Sequence, residues 1–279
     1  MTSAADRQSA NVAPAASGMT ALAAGQGQPL VLVHGALGDY RQWDSIAKRL
    51  QPHFRVVAVS RRFHWPNTPP TSTVDYSVES HRDDLLALLQ SIAEPVHLVG
   101  HSYGAAVVLS AALADPSIAR TLTLIEPPLP SLVPASAPEL IEENASRAAM
   151  VVTLRAQVAA GKDETAALTL FDWAQGGPGG FAALAEACRR QLLENSNTIG
   201  PTYATPPPRY TCSQLARLSM PTLILSGAES RPFYRRSAQA AAACIPGSRW
   251  GFVRDARHMV IVENSDATAA AMLDFLVTA

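Results

Sequence analysis

A chain of 279 residues with 48% hydrophobic and 16% charged residues can bury a sizeable core as one domain, or as one domain with an inserted module, and falls outside the disordered and fibrous classes. Its formal net charge of −1 leaves no basic footprint for nucleic acid or an anionic membrane, and no apolar run approaches the roughly 18 residues of a membrane span. Three cysteines, Cys188, Cys212 and Cys244, stand far apart and in no C-x-x-C pair; the odd count predicts thiols rather than a disulfide framework, and a reducing, cytoplasmic setting.

Residues 1–24 are rich in Ala and Ser with no compact apolar segment, which predicts a flexible leader rather than a signal peptide. Pro29-Leu30-Val31-Leu32-Val33-His34-Gly35 is continuously apolar up to its histidine, the pattern of a strand buried on both faces. Residues 44–50 have helical spacing with Ile46, Ala47 and Leu50 on one side, and residues 54–59 read as a second buried strand. Strand, helix and strand make a βαβ unit with a right-handed crossover. Residues 60–75 form an irregular loop that holds Arg61, Arg62, His64 and Trp65, and a loop this long at a strand end favours function over filler.

A helix follows from about Ser77 to Ile92, then a strand near 96–101, a helix over 105–114 stopped by Asp115-Pro116, and a strand over 119–126 stopped by Pro127-Pro128. From 128 to 220 the spacing is helical over 140–160, 164–174 and 181–193, broken by Gly and Pro, with no strand, which predicts an inserted all-helical cap. Strands at 221–227 and 248–253 and helices at 232–243 and 266–277 complete the chain. The alternation predicts an α/β fold with a mostly parallel central sheet and helices on both faces, its core spanning 25–127 and 221–279.

Gly100-His101-Ser102-Tyr103-Gly104 lies between a β-type run and an Ala-rich helical run. Flanking glycines permit a sharp strand-to-helix turn that exposes the serine hydroxyl, and the following helix N-terminus favours negative charge beside it. A serine hydroxyl is a weak nucleophile at neutral pH and needs a base, with a carboxylate to orient that base. His258 is the best-placed base, because its loop leaves the last strand at the carboxyl edge that also presents Ser102.

With Ser102, a carboxylate and His258 in that chain order, His34-Gly35 after an early strand and Asp255-Ala256-Arg257-His258 near the end, the sequence resembles the α/β-hydrolase superfamily over roughly residues 30–276. The resemblance implies a cap where 128–220 falls, and an oxyanion hole formed by the backbone amides of Ala36 and Tyr103, each donor worth about 3–4 kcal/mol. Many relatives place the acid three residues after the glycine that ends the strand before the penultimate helix, but Ser230 stands there. Other branches place it at the end of the preceding strand, where Glu126 matches. Glu229, one residue short of the first position, is the alternative acid.

Candidate substrate-binding residues are His34, Arg62, His64 and Trp65, which serve equally well as surface pins of their loop, and Trp173, equally at home in a cap core. No metal or organic cofactor is implied. The resulting expectation is a serine hydrolase, monomeric or homodimeric, that cleaves a small, largely apolar ester or lactone through an acyl-enzyme on Ser102. C–C bond or thioester hydrolysis by the same triad, and a small-molecule receptor with little turnover, are the alternatives.

Overall fold

Runs of Val, Leu and Ile without a polar face set the centre of the molecule. The computed structural model describes residues 10–12, 18–70, 75–133 and 138–279. Its strands are β1 (Ala10–Val12), β2 (Thr20–Ala24), β3 (Pro29–Val33), β4 (Arg55–Ser60), β5 (Val96–His101), β6 (Ala119–Ile125), β7 (Thr222–Gly227) and β8 (Arg249–Val253). They form one sheet in the order β1-β2-β4-β3-β5-β6-β7-β8. From β4 to β8 all neighbours are parallel, while β1 and β2 join antiparallel at one edge. Strands β3, β5 and β7 are buried at every residue, as strands covered on both faces must be; the edge strand β8 is largely uncovered.

The described helices are α1 (Asp44–Leu50), α2 (Val78–Ile92), α3 (Tyr103–Ala114), α4 (Pro138–Ala159), α5 (Asp163–Ala174), α6 (Glu186–Glu194), α7 (Ile199–Ala204), α8 (Cys212–Leu215), α9 (Pro232–Cys244), α10 (Val260–Glu263) and α11 (Ser265–Thr278). Successive strand residues face opposite ways, which splits the core into two layers. Val31, Val33 and Leu98 pack with α2, α3 and α9; Leu30, Leu32 and Val99 pack with α1, α10 and α11. A third apolar cluster joins α4, α5 and α6 to Leu37, Phe233, Tyr234 and Met259, which rise from the loops and helix at the sheet's carboxyl edge. Between β6 and β7 the described residues hold helices and no strand.

The structure corrects three expectations. Thr20–Ala24, read as the end of a flexible leader, is a strand that pairs with β4, with Met19 and Ala21 buried. Alanine is a weak strand former on its own, and here the open edge of β4 supplies the partner; residues 1–9 and 13–17 of the expected leader lie outside the described residues. Cys212 and Cys244, read as thiols, form a disulfide between α8 and α9 with Cα atoms 4.9 Å apart, and buried Cys188 stays free. The pairing arises because β7 brings the chain from α8 back along α9, which no residue spacing reveals, and a disulfide argues against the reducing setting. The helix expected over 181–193 starts only at Glu186, because Gly176, Gly177 and Gly179 take positive φ in the turns before it.

Candidate active site

Ser102 follows β5 and caps α3 with φ 51° and ψ −120°, a conformation that costs a non-glycine residue energy and persists only where its surroundings impose it. The surroundings here are backbone. A Cβ on Gly100 would lie 2.4 Å from the Gly104 carbonyl oxygen, and one on Gly104 would lie 2.3 Å from that of Val33. Both positions therefore exclude any side chain, and the turn seats directly against the end of β3. The Ser102 amide donates to the Ile125 carbonyl at 2.8 Å, tying the turn to β6.

The next residue after β6 is Glu126, also at positive φ (52°) and fully buried. One of its oxygens accepts the Gly227 amide at 2.8 Å; the other lies 3.0 Å from His258 Nδ1. His258 Nε2 lies 2.9 Å from Ser102 Oγ. The structure thus brings Ser102, His258 and Glu126 into one hydrogen-bonded row at the carboxyl ends of β5, β6 and β8. Burial holds the imidazole down to about 3, so it is neutral at neutral pH with Nε2 open to a proton. Burial pushes the Glu126 carboxyl up to about 8, opposed by the Gly227 amide and the Ser230 hydroxyl.

Two residues hold the imidazole from outside the row. The Tyr234 ring stacks on it at 3.9 Å between centroids and 19° between planes, and His101 Nε2 donates to the His258 carbonyl at 2.9 Å. Tyr234 was legible only as part of a helix, and nothing in its spacing marks it as an imidazole platform. Beside Ser102 opens a cavity of about 210 Å³, with Ala36, Tyr103 and His258 around the serine and Met150, Phe171 and Trp173 from α4 and α5. Tyr103, the first residue of α3, has no carbonyl one turn earlier within the helix to take its amide.

Of the five candidate substrate contacts, Trp173 lines the cavity and the other four do not. His34 is fully buried: its Nδ1–H donates to the Gly35 carbonyl at 2.8 Å and its Nε2 accepts the Arg61 amide at 3.0 Å. His64 is buried between the Gly38 carbonyl (2.6 Å) and the Tyr76 hydroxyl (2.9 Å). Arg62 forks onto Asp84, and Trp65 lies 39% exposed under the Arg41 guanidinium. These four pin the loop after β4, because each polar group finds a nearer partner there than in the cavity. Glu229, the alternative acid, is exposed on the turn after β7 and donates its amide to the Ala256 carbonyl. Its side chain is in solvent while Glu126 already occupies His258 Nδ1. Among the described residues no group of three or more His, Cys, Asp or Glu is placed to hold a metal, and no helix is long and apolar enough to cross a membrane.

Residues 28–265 match a family model described as alpha/beta hydrolase fold. The uncharacterized hydrolase YraK of Bacillus subtilis (strain 168) is 32% identical over 110 residues, 39% of this chain and 41% of that protein, so the match spans less than half of its length. Among solved structures, carboxylesterase CesB from Bacillus subtilis has a TM-score of 0.75 at 18% identity, covering 94% of this chain and 88% of its own. A bromoperoxidase from Bacillus anthracis has a TM-score of 0.76 at 20% identity, covering 93% and 95%. At such identities the likeness is one of fold.

Proposed function

From the premise that the chain belongs to the alpha/beta hydrolase fold family, we propose that it is a serine hydrolase that cleaves a small carboxylic ester or lactone through an acyl-enzyme on Ser102. The observation that carries the reading is the row from Ser102 Oγ through His258 to Glu126, at 2.9 and 3.0 Å.

In this mechanism His258 Nε2 takes the Ser102 proton as Oγ attacks the substrate carbonyl, and Glu126 accepts the Nδ1–H of the imidazolium that forms. The carbonyl oxygen becomes an oxyanion held by the amides of Ala36 and Tyr103. The C–O bond to the alcohol breaks as His258 returns the proton to it, which leaves an acyl-Ser102 ester. Water then enters, gives a proton to His258 and attacks the acyl carbon; the Ser102 oxygen leaves, recovers that proton, and the acid is released. Residues 128–220 serve as a cap whose helices shape the acyl and alcohol sites.

A fluorophosphonate probe and a p-nitrophenyl ester test the reading together. The proposal expects labelling at Ser102, ester turnover, and a loss of about a thousandfold or more in kcat/KM for Ser102→Ala. Turnover that survives Ser102→Ala overturns it, and so does labelling with no turnover across esters, lactones and thioesters, which favours a receptor.

A further inference from the structure

Arg147 and Arg155 are the only Lys, Arg, Asp or Glu residues among the described residues lining the cavity, so the cavity has cations and no carboxylate. Both stand on α4. Arg155 is engaged, donating from Nε and Nη2 to the Tyr203 carbonyl at 3.2 and 2.8 Å. Arg147 is not engaged in this way. Its ordinary partner on a helix is the acid one turn earlier, and Glu143 stands there. Both Glu143 oxygens, however, are taken by the Arg231 fork at 2.8 and 2.7 Å, and Arg231 is itself packed over Trp173 at 4.6 Å. The Arg147 guanidinium lies 5.0 Å over the Phe233 ring, and its Nε is buried with no hydrogen-bond partner among the described residues.

In a cavity that Met150, Leu170 and Phe233 also line, a guanidinium with a buried, unmet donor suits an acceptor on the ligand. We propose that Arg147 anchors a carboxylate on the substrate, so that the preferred class is an ester or lactone whose acyl part ends in a second, free carboxylate. The planar fork of Nε and Nη matches a carboxylate, and of the two cavity arginines Arg147 is the one whose Nε has no partner among the described residues. This inference rests on Ser102 as nucleophile.

Mono-p-nitrophenyl glutarate and p-nitrophenyl butyrate, one with the free carboxylate and one without, supply the probe. The ratio of kcat/KM for the acidic ester over the neutral one is expected to fall by about tenfold or more in Arg147→Met and by less in Arg147→Lys. Because the ratio is internal to each variant, partial loss of folded protein cancels. An unchanged ratio in Arg147→Met overturns the subsite, whereas turnover of both esters by Ser102→Ala overturns the acyl-enzyme reading instead.

A buried charge points to a second role. Arg61 is 1% exposed and has no carboxylate partner among the described residues. Its Nη2 donates to the Gly35 carbonyl at 3.0 Å, its Nη1 faces the Tyr76 hydroxyl and the His81 ring, and its guanidinium lies 4.5 Å over the Tyr103 ring. Burial, and then the Arg61 charge, hold the neighbouring His34, His64 and His81 rings well below their ordinary range. An uncompensated buried cation is costly, and this one is bonded to the peptide whose other end is the Ala36 N–H. We infer that Arg61 is a positioning residue that orients and polarises that peptide as an oxyanion donor. Arg61→Met is expected to lose about ten- to a hundredfold in kcat with little change in KM, with partial rescue in Arg61→Lys, and to move the ester carbonyl stretch of a cinnamoyl-Ser102 acyl-enzyme to higher wavenumber. An unmoved stretch, or a loss that falls on KM alone, overturns the inference.

Discussion

The floor and the roof of the cavity are held in place by different forces. On the floor, Ser102 and Glu126 both sit at positive φ, locked by strand ends, by amides that bond across β5, β6 and β7, and by glycines whose hydrogens face backbone. On the roof, α4 to α7 meet the core through apolar side chains and a few ion pairs such as Arg231 with Glu143. Backbone-held geometry tolerates almost no change, whereas side-chain packing can be recut. On the proposed mechanism that contrast assigns chemistry to the floor and selectivity to the roof, and variants on each side can break or sharpen it.

The largest effect belongs to the row itself. Glu126→Gln is expected to lower kcat/KM on a p-nitrophenyl ester by about 10³–10⁴-fold, and Glu229→Gln to change it less than twofold, because Glu229 is exposed and touches none of the row. Comparable losses in the two variants would break the assignment of the acid. Next, Gly104→Ala should yield little soluble protein or a Tm lowered by more than about 10 °C, since the new Cβ would meet the Val33 carbonyl oxygen at 2.3 Å. A folded, fully active Gly104→Ala would show that the elbow is not backbone-locked.

The pH profile follows the row. The proposed mechanism requires Glu126 ionised and His258 neutral; burial raises the first and lowers the second, so on that mechanism the proton that must leave on going to the active form is the carboxyl's. kcat/KM on a neutral ester is therefore expected to rise with pH through a midpoint above about 6.5, as one apparent value of the coupled pair. A plateau already reached at about pH 6 would contradict it. Outside both floor and roof, Cys244→Ser removes the bridge between α8 and α9, whose ends stand 32 residues apart, for an expected loss of about 3–4 kcal/mol in chemical denaturation and a smaller change in kcat. Trp173→Ala should raise KM more than it lowers kcat. Equal losses in both would mean that the roof also positions the reacting atoms.

What could be read from the chain divides along the same line. The strand runs and the Gly100-to-Gly104 turn are legible because local backbone demands leave few residue choices: a glycine where a Cβ would collide, an apolar run where both faces are covered; the acid is reached only through the resemblance, with Glu126 and Glu229 both open. Contacts made only in three dimensions leave no such trace. Tyr234 stacks on His258 from a helix that reads like any other, and Cys212 meets Cys244 only because β7 and α9 bring α8 alongside. His34, Arg62, His64 and Trp65 are polar or aromatic residues near the right strand ends, and residue type alone does not separate a side chain that faces a cavity from one that pins a loop. Ala-rich β2 lacks β-branched residues and forms because β4 offers an open edge.

The most direct test of the floor is a crystal structure of the chain after reaction with diethyl p-nitrophenyl phosphate, which transfers its diethyl phosphoryl group to a nucleophilic serine and releases p-nitrophenolate. The account predicts phosphorus bonded to Ser102 Oγ, the phosphoryl oxygen about 2.7–3.1 Å from the amides of Ala36 and Tyr103, and His258 still bridging to Glu126. An adduct on another residue, or a phosphoryl oxygen turned away from both amides, would contradict it.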